Sequence, residues 1–302
     1  MSAVKQTPQA ERHRGKPARF NRGPGQSVAR YVRGVIVRYA LLLLVLIIAI
    51  GPFVWQVSTS LKGPLENVSA MPPQFIPQDP TFANYRSVGE TIPLFRYLMN
   101  STIVAGAVMV GNCLFASMAG YALARMRFKG RNSLFALMIA SMIIPFEVIM
   151  ISVFMVARDL GLVNTLAGVA LPSLVGILSI FIMRQGFLSL SKEVEEAAYI
   201  DGAGDWRTFW RIGLPSVKGS MAVVAILSFM NGWDDFLWPL IILRDPEVFT
   251  LTVGLVFLEN AFTADQRLVA AGTIIAILPV LVLFAVFQKH FFKGVGHSAV
   301  KG

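Results

Sequence analysis

Tyr39 to Leu61 reads YALLLLVLIIAIGPFVWQVSTSL, 23 residues without a charged side chain. A helix rises about 1.5 Å per residue, so roughly 20 such residues cross the roughly 30 Å hydrocarbon core of a bilayer. Three more uncharged stretches of that length follow: Tyr97–Ala124, Leu160–Met183 and Leu268–Gln288. Two further apolar stretches carry acids, Asn132–Ala157 with Glu147 and Gly219–Leu243 with Asp234 and Asp235. The 302-residue chain is 55% hydrophobic and 15% charged, with a mean hydropathy of +0.63. A soluble domain carries about 25% charged residues to cover its surface. The composition therefore points to a polytopic, all-α membrane protein.

The charges arbitrate between four spans and six. With six, the N-terminal tail to Arg38 holds nine Lys/Arg, Arg125–Arg131 four, Arg184–Lys218 five and the tail after Gln288 three; the opposite loops together hold six. Cytoplasmic loops carry the excess of Lys and Arg. Six transmembrane helices with both termini cytoplasmic is the expectation, with spans at about 36–60, 98–124, 133–157, 162–184, 216–243 and 268–291. Residues 1–33 form a basic disordered cytoplasmic tail, and 34–302 the transmembrane domain. The first span is too long for a signal-peptide core and reads as a retained signal anchor. The basic tail suits anionic lipid and topology rather than nucleic acid.

Several chemistries are excluded. Cys113 is the only cysteine, so no intramolecular disulfide or CxxC site exists, and the three histidines lie near the termini. No Walker A, G-x-S-x-G or GxGxxG motif occurs. No catalytic residue, metal site or bound cofactor is expected.

Local patterns give further expectations. Met71–Pro80 is proline-rich and should be extended outside the membrane. Ala116, Gly120 and Ala124 fall four apart, a spacing that lets helices approach closely. The loop of residues 190–215 is unusually charged for this chain. Ser191 can cap a helix whose first turns hold Glu193, Glu195 and Glu196, where the dipole favours acids. Ala197 and Ala198 present a small apolar patch, Gly202 and Gly204 can end the helix, and Pro215 can open the fifth span.

Within that loop, Glu196-Ala197-Ala198, Gly202, Ile212 and Leu214-Pro215 stand at the spacing EAA-x3-G-x9-I-x-LP. This resembles the EAA motif of permease subunits of bacterial ABC importers. Pro52–Trp55, Ser58–Lys62, Asn100–Thr102, Gly120–Arg125, Gly232–Pro239 and Ala299–Gly302 look like its carbohydrate branch, the maltose-permease (MalG) type. Ser191 stands where a proline is common, and Gly294–Ser298 departs from the usual tail.

The resemblance implies an ABC-importer permease (MetI-like) fold in the bacterial cytoplasmic (inner) membrane. Its partners would be a second permease subunit, a cytoplasmic ATPase dimer that binds the ATP, and an extracytoplasmic solute-binding protein. The substrate would be a sugar. Glu195, Glu196, Ala197, Ala198, Gly202, Ile212, Leu214 and Pro215 would form the ATPase-coupling loop. Such a subunit is not an enzyme.

Acids in lipid cost about 2.5–3.5 kcal/mol on insertion scales and by default mark a pathway. Glu147, Asn231, Asp234 and Asp235 are candidates for the solute path; the competing reading places the acids at helix ends near the outer interface. Trp233, Phe236 and Trp238 suit either sugar stacking or an interfacial belt. Two functional alternatives stay open: a permease for a non-sugar solute, and an ion-coupled secondary transporter.

Overall fold

The computed structural model describes residues 24–260 and 265–296, so most of the basic tail and the last six residues lie outside the described residues. It is helical, with no strand among them. Contacts divide the chain into two units, residues 1–53 and 54–302. Helix α1, Pro24–Leu61, begins in the first and ends in the second.

In the second unit the elements follow as α2 (Ala83–Thr91), α3 (Leu94–Gly111), a π-turn at Asn112–Ala116, α4 (Ser117–Arg125), α5 (Arg131–Ser141), α6 (Phe146–Asp159), α7 (Leu166–Ala170) and α8 (Ile177–Leu188). They continue as α9 (Lys192–Ile200), α10 (Asp205–Thr208), a second π-turn at Phe209–Gly213, α11 (Leu214–Ser216), α12 (Lys218–Asp234), α13 (Leu237–Ile242), α14 (Leu251–Asn260) and α15 (Gln266–Gly296).

Three helical stretches are long and apolar enough to cross a membrane: Tyr31–Leu61, Leu94–Arg125 and Gln266–Val286. Three more candidates are bent pairs. Arg131–Ser141 and Phe146–Asp159 meet at 99°, Leu166–Ser173 and Ile177–Leu188 at 46°, and Asp205–Ser216 and Lys218–Asp234 at 80°. The described chain thus offers three to six spans. The helix over the expected span 133–157 is broken between Ser141 and Phe146. Pro145, extended at ψ 144°, has no N–H to continue the ladder and disfavours a helical residue before it. Pro215 does not open the fifth helix either: it sits in the three-residue α11, and α12 starts at Lys218.

Backbone groups freed by such breaks must be satisfied internally at membrane depth. Asn112 does this for the break after α7: its Nδ2 donates to the Ser173 carbonyl (2.8 Å), and its Oδ1 accepts from the Gly176 N–H (2.7 Å). Asn100 Nδ2 holds the Glu247 and Phe249 carbonyls (3.1 and 2.9 Å), and Ser101 Oγ accepts the Leu251 N–H (2.7 Å).

The main core joins α3, α12, α14 and α15 through Tyr97, Val104, Val108, Phe229, Trp233, Val253 and Ala271. A second cluster, Tyr121, Met183, Phe187, Phe209 and Val217, sits beneath the charged loop. The small-residue stripe works inside this chain. A Cβ at Gly120 would stand 2.8 Å from Met183 Cβ and 2.9 Å from the Arg184 nitrogen, and Ala116 and Ala124 are buried. The absent side chain lets α4 lie directly against α8.

Candidate functional site

The charged loop is a helix–turn–helix built from local rules. Ser191 occupies the position before α9 with extended backbone, yet its hydroxyl donates to the Glu193 carboxylate and caps no backbone N–H. A carboxylate is the stronger acceptor, and the exposed Glu193 is held below its ordinary pKa by this bond. At the other end, Gly202 takes φ +79°. The Ala203 N–H reaches the Ala198 carbonyl (2.9 Å) and the Gly202 N–H the Tyr199 carbonyl (3.0 Å). Those two bonds are the Schellman closure, which needs a left-handed residue at the Gly202 position.

The chain then reverses. Tyr199 Oη donates to Asp205 Oδ1 (2.8 Å), tying the end of α9 to the start of α10. Burial first, then this bond to Asp205, push the phenol above its ordinary range, so it remains a proton donor. Phe209 packs against both Tyr121 and Phe187, with ring centroids 5.2 and 6.2 Å away, and those two rings meet edge-on at 5.2 Å. Gly213 lies against the same two rings. On the opposite flank, Arg125 Nη2 donates to the carbonyls of Phe187 (2.7 Å) and Leu190 (2.8 Å). Phe187 lies in the last turn of α8 and Leu190 in the link to α9, where carbonyls no longer have full intrahelical pairing. Loop, α4 and α8 are thereby fastened together.

The motif residues divide by exposure. Ala198 is buried, whereas Ala197 and Glu196 face outward, so the two alanines do not form one apolar patch. Gly202 and Pro215 are exposed; Ile212 and Leu214 are half-buried. The side chain of Glu195 lies outside the described residues. Glu196, Tyr199 and Asp205 line a cleft of about 1200 Å³ opposite Arg125–Arg131. Sequence reasoning missed Arg125, Tyr199 and Asp205. Arg125 carried no signal beyond its charge, since its partners are 62 and 65 positions away. A Tyr and an Asp flanking the glycine turn were a readable hint.

The second candidate group gathers where two bends meet. Glu147 stands in the first turn of α6, where the dipole favours an acid. Asp235, between α12 and α13, accepts the Trp238 N–H at 3.4 Å, and its carbonyl accepts from Thr252 Oγ1 (2.7 Å). Phe146, beside Glu147, packs edge-on against Trp238 at 5.7 Å, which brings the start of α6 to the break between α12 and α13. Asn231 and Asp234, three apart on α12, share an exposed face. The tryptophans fit neither earlier reading. Trp233 and Trp238 are buried, and their indole N–H groups donate to the carbonyls of Ala276 and Gly168 (both 3.1 Å). Of the three aromatics only Phe236 is exposed, at 38%.

With this geometry in view, comparison with known families is specific. Residues 114–297 match the family described as "Binding-protein-dependent transport system inner membrane component". The chain belongs to this family. It is therefore a multi-pass membrane protein and a transport component. The arabinooligosaccharides transport system permease protein AraQ of Halalkalibacterium halodurans is 41% identical over 203 residues, 67% of this chain and 73% of that protein. The diacetylchitobiose uptake system permease protein NgcG of Streptomyces coelicolor is 31% identical over 273 residues, 89% of this chain and 90% of that one. Among solved structures, a chain of a bacterial ABC transporter for import of the acidic polysaccharide alginate superposes with a TM-score of 0.78 at 25% identity. It covers 87% of this chain and 98% of its own.

Proposed function

We propose that this family member is the transmembrane subunit of an ATP-driven sugar importer in the bacterial inner membrane. Six spans with both termini cytoplasmic would place residues 190–215 inside. A second permease subunit would complete the pore, a cytoplasmic ATPase dimer would drive it, and an extracytoplasmic binding protein would deliver the solute. The sugar assignment draws on the substrates named for AraQ and NgcG.

The observation that carries the reading is the construction of the loop. An outward Ala197 and Glu196 sit on a helix tied to α10 through Tyr199 and Asp205, while Arg125 of α4 holds the end of α8 and the Leu190 carbonyl that leads into α9. A push on the exposed face is transmitted to the spans because the joint is hydrogen-bonded and aromatic rather than loose. The chain has no phosphate-binding loop, so the force of ATP hydrolysis must arrive by contact. Glu195, Gly202, Ile212, Leu214 and Pro215 complete this coupling element. Asn231 and Asp234, on the exposed face of α12, are the path residues. Glu147 and Asp235 support that path from helix ends.

Ala197→Trp tests the assignment: it should leave membrane insertion normal but abolish co-purification of the ATPase and lower uptake in parallel. Full ATPase retention with full uptake would remove the coupling role. Topology is tested separately with an impermeant maleimide and a cysteine at position 128 in a Cys113→Ser background. Labelling from outside intact cells would end the six-span arrangement.

A further inference from the structure

The segment from Asp205 to Ser216 leaves α12 at 80°, so in a transport component whose α12 crosses the bilayer it runs along the membrane surface. Its exposed side chains suit that position. Trp206 is 62% and Trp210 38% exposed, four residues apart and edge-to-face at 5.7 Å. Indole rings collect at membrane interfaces because one edge is apolar and the other wants water. Arg207 and Arg211 alternate with them, and Lys218 follows; all three are exposed. The single acid in this stretch, Asp205, already accepts from Tyr199.

From Trp210 and Lys218 an apolar groove of about 560 Å³ runs between α3 with its π-turn and α12. Val110, Cys113, Leu114, Met221 and Ala225 line it, and Lys218 is its one charged lining residue. A cation, an interfacial indole beside it and an apolar channel behind them match the phosphate, glycerol and acyl levels of a phospholipid.

We propose that an anionic phospholipid of the cytoplasmic leaflet occupies this groove, its acyl chain beside Cys113 and its phosphate against Lys218. The site fastens the surface segment to the headgroup layer and makes the coupling joint sensitive to leaflet charge. Charge complementarity chooses this occupant over a helix of the second permease subunit: Lys218 stands in the groove's lining and the surface segment leading to it carries the exposed Arg207 and Arg211, whereas a helix would fill the apolar channel without needing a cation. The inference rests on the cytoplasmic placement of the loop, which maleimide labelling tests independently, so failure of either is recognisable.

Cys113, the only cysteine of the chain and half-buried in the groove, is the reporter. The assembled transporter, carrying a benzophenone maleimide on Cys113, would be irradiated in nanodiscs of phosphatidylglycerol or phosphatidylcholine, and the adduct on this chain identified by mass. Phosphatidylglycerol adducts should dominate. Lys218→Gln should lower them about fivefold, the factor that corresponds to the roughly 1 kcal/mol a basic residue contributes near an anionic surface. Adducts to another subunit, or equal yields from the two lipids, would overturn the proposal. Native mass spectrometry of the unlabelled transporter is the second readout: the wild type should retain one phosphatidylglycerol and Lys218→Gln should lose most of it. A wild type that retains none refutes the site even if the labelled protein reacts.

Discussion

The sharpest test of the coupling joint is a substitution series at Gly202. At φ +79° a residue with a Cβ pays a left-handed strain of about 1–2 kcal/mol. No atom lies within 4 Å of a Cβ built there, so the strain is conformational and not steric. Two hydrogen bonds depend on that conformation, from the Gly202 and Ala203 N–H groups to the carbonyls of Tyr199 and Ala198. If the backbone relaxes instead, both are lost and α10 is redirected, detaching Tyr199 from Asp205. A shift of 1–2 kcal/mol changes an equilibrium by a factor of about 5–30. Asn tolerates the left-handed region better than Ala, and β-branched Val least. ATPase affinity and binding-protein-stimulated hydrolysis, measured on transporter in nanodiscs, should therefore fall in the order Gly, Asn, Ala, Val. Val should lose roughly 5–30-fold and Asn well under half of that free energy. Asp201→Ala, an exposed neighbour, is the control. A ranking by side-chain volume, with Asn worse than Ala, would refute the conformational argument. Full coupling in Gly202→Val would refute the role of the turn altogether.

Other expectations follow from the same geometry. Ala198→Trp, unlike the outward Ala197→Trp, should overpack a buried position and lower the melting temperature by a loss of about 1–3 kcal/mol. Gly120→Leu should do likewise, because its Cβ meets Met183 and the Arg184 backbone; a melting temperature equal to wild type would contradict the close α4–α8 approach. Asp234→Asn should slow sugar uptake with ATPase assembly intact, whereas Asp235→Ala should reduce stability by about 1 kcal/mol through loss of the Trp238 contact. Normal uptake in Asp234→Asn would remove that residue from the path. Glu66 accepts the backbone N–H groups of Asp79, Gly63 and Gln78, and the bond from Asp79 leads in holding its pKa below 4.5. Because the folded value is depressed, this contribution is complete above the unfolded pKa and is lost as pH falls through the folded one. Protease protection of residues 63–80 should weaken in acid, and Glu66→Gln should weaken it at neutral pH. Equal protection at both pH values would contradict the staple.

What the sequence alone determined is short-range or additive. The six apolar stretches and the membrane class follow from transfer free energy summed over about 20 residues, independent of neighbours. The loop geometry follows from acids in a first helical turn and a glycine where the closing bonds require positive φ, so α9 and its turn at Gly202 were legible. Which way each apolar side chain faces was not. Lipid and protein interior are equally apolar, so a membrane helix carries little of the amphipathic signal that marks the buried face of a soluble one. Tertiary structure alone therefore buried Trp233 and Trp238 and turned Ala198 inward and Ala197 out. It also delivered Arg125 to carbonyls more than 60 residues away. Those outcomes depend on which distant backbone group is left unsatisfied. No local pattern records that, because the donor and its acceptor share no stretch of chain.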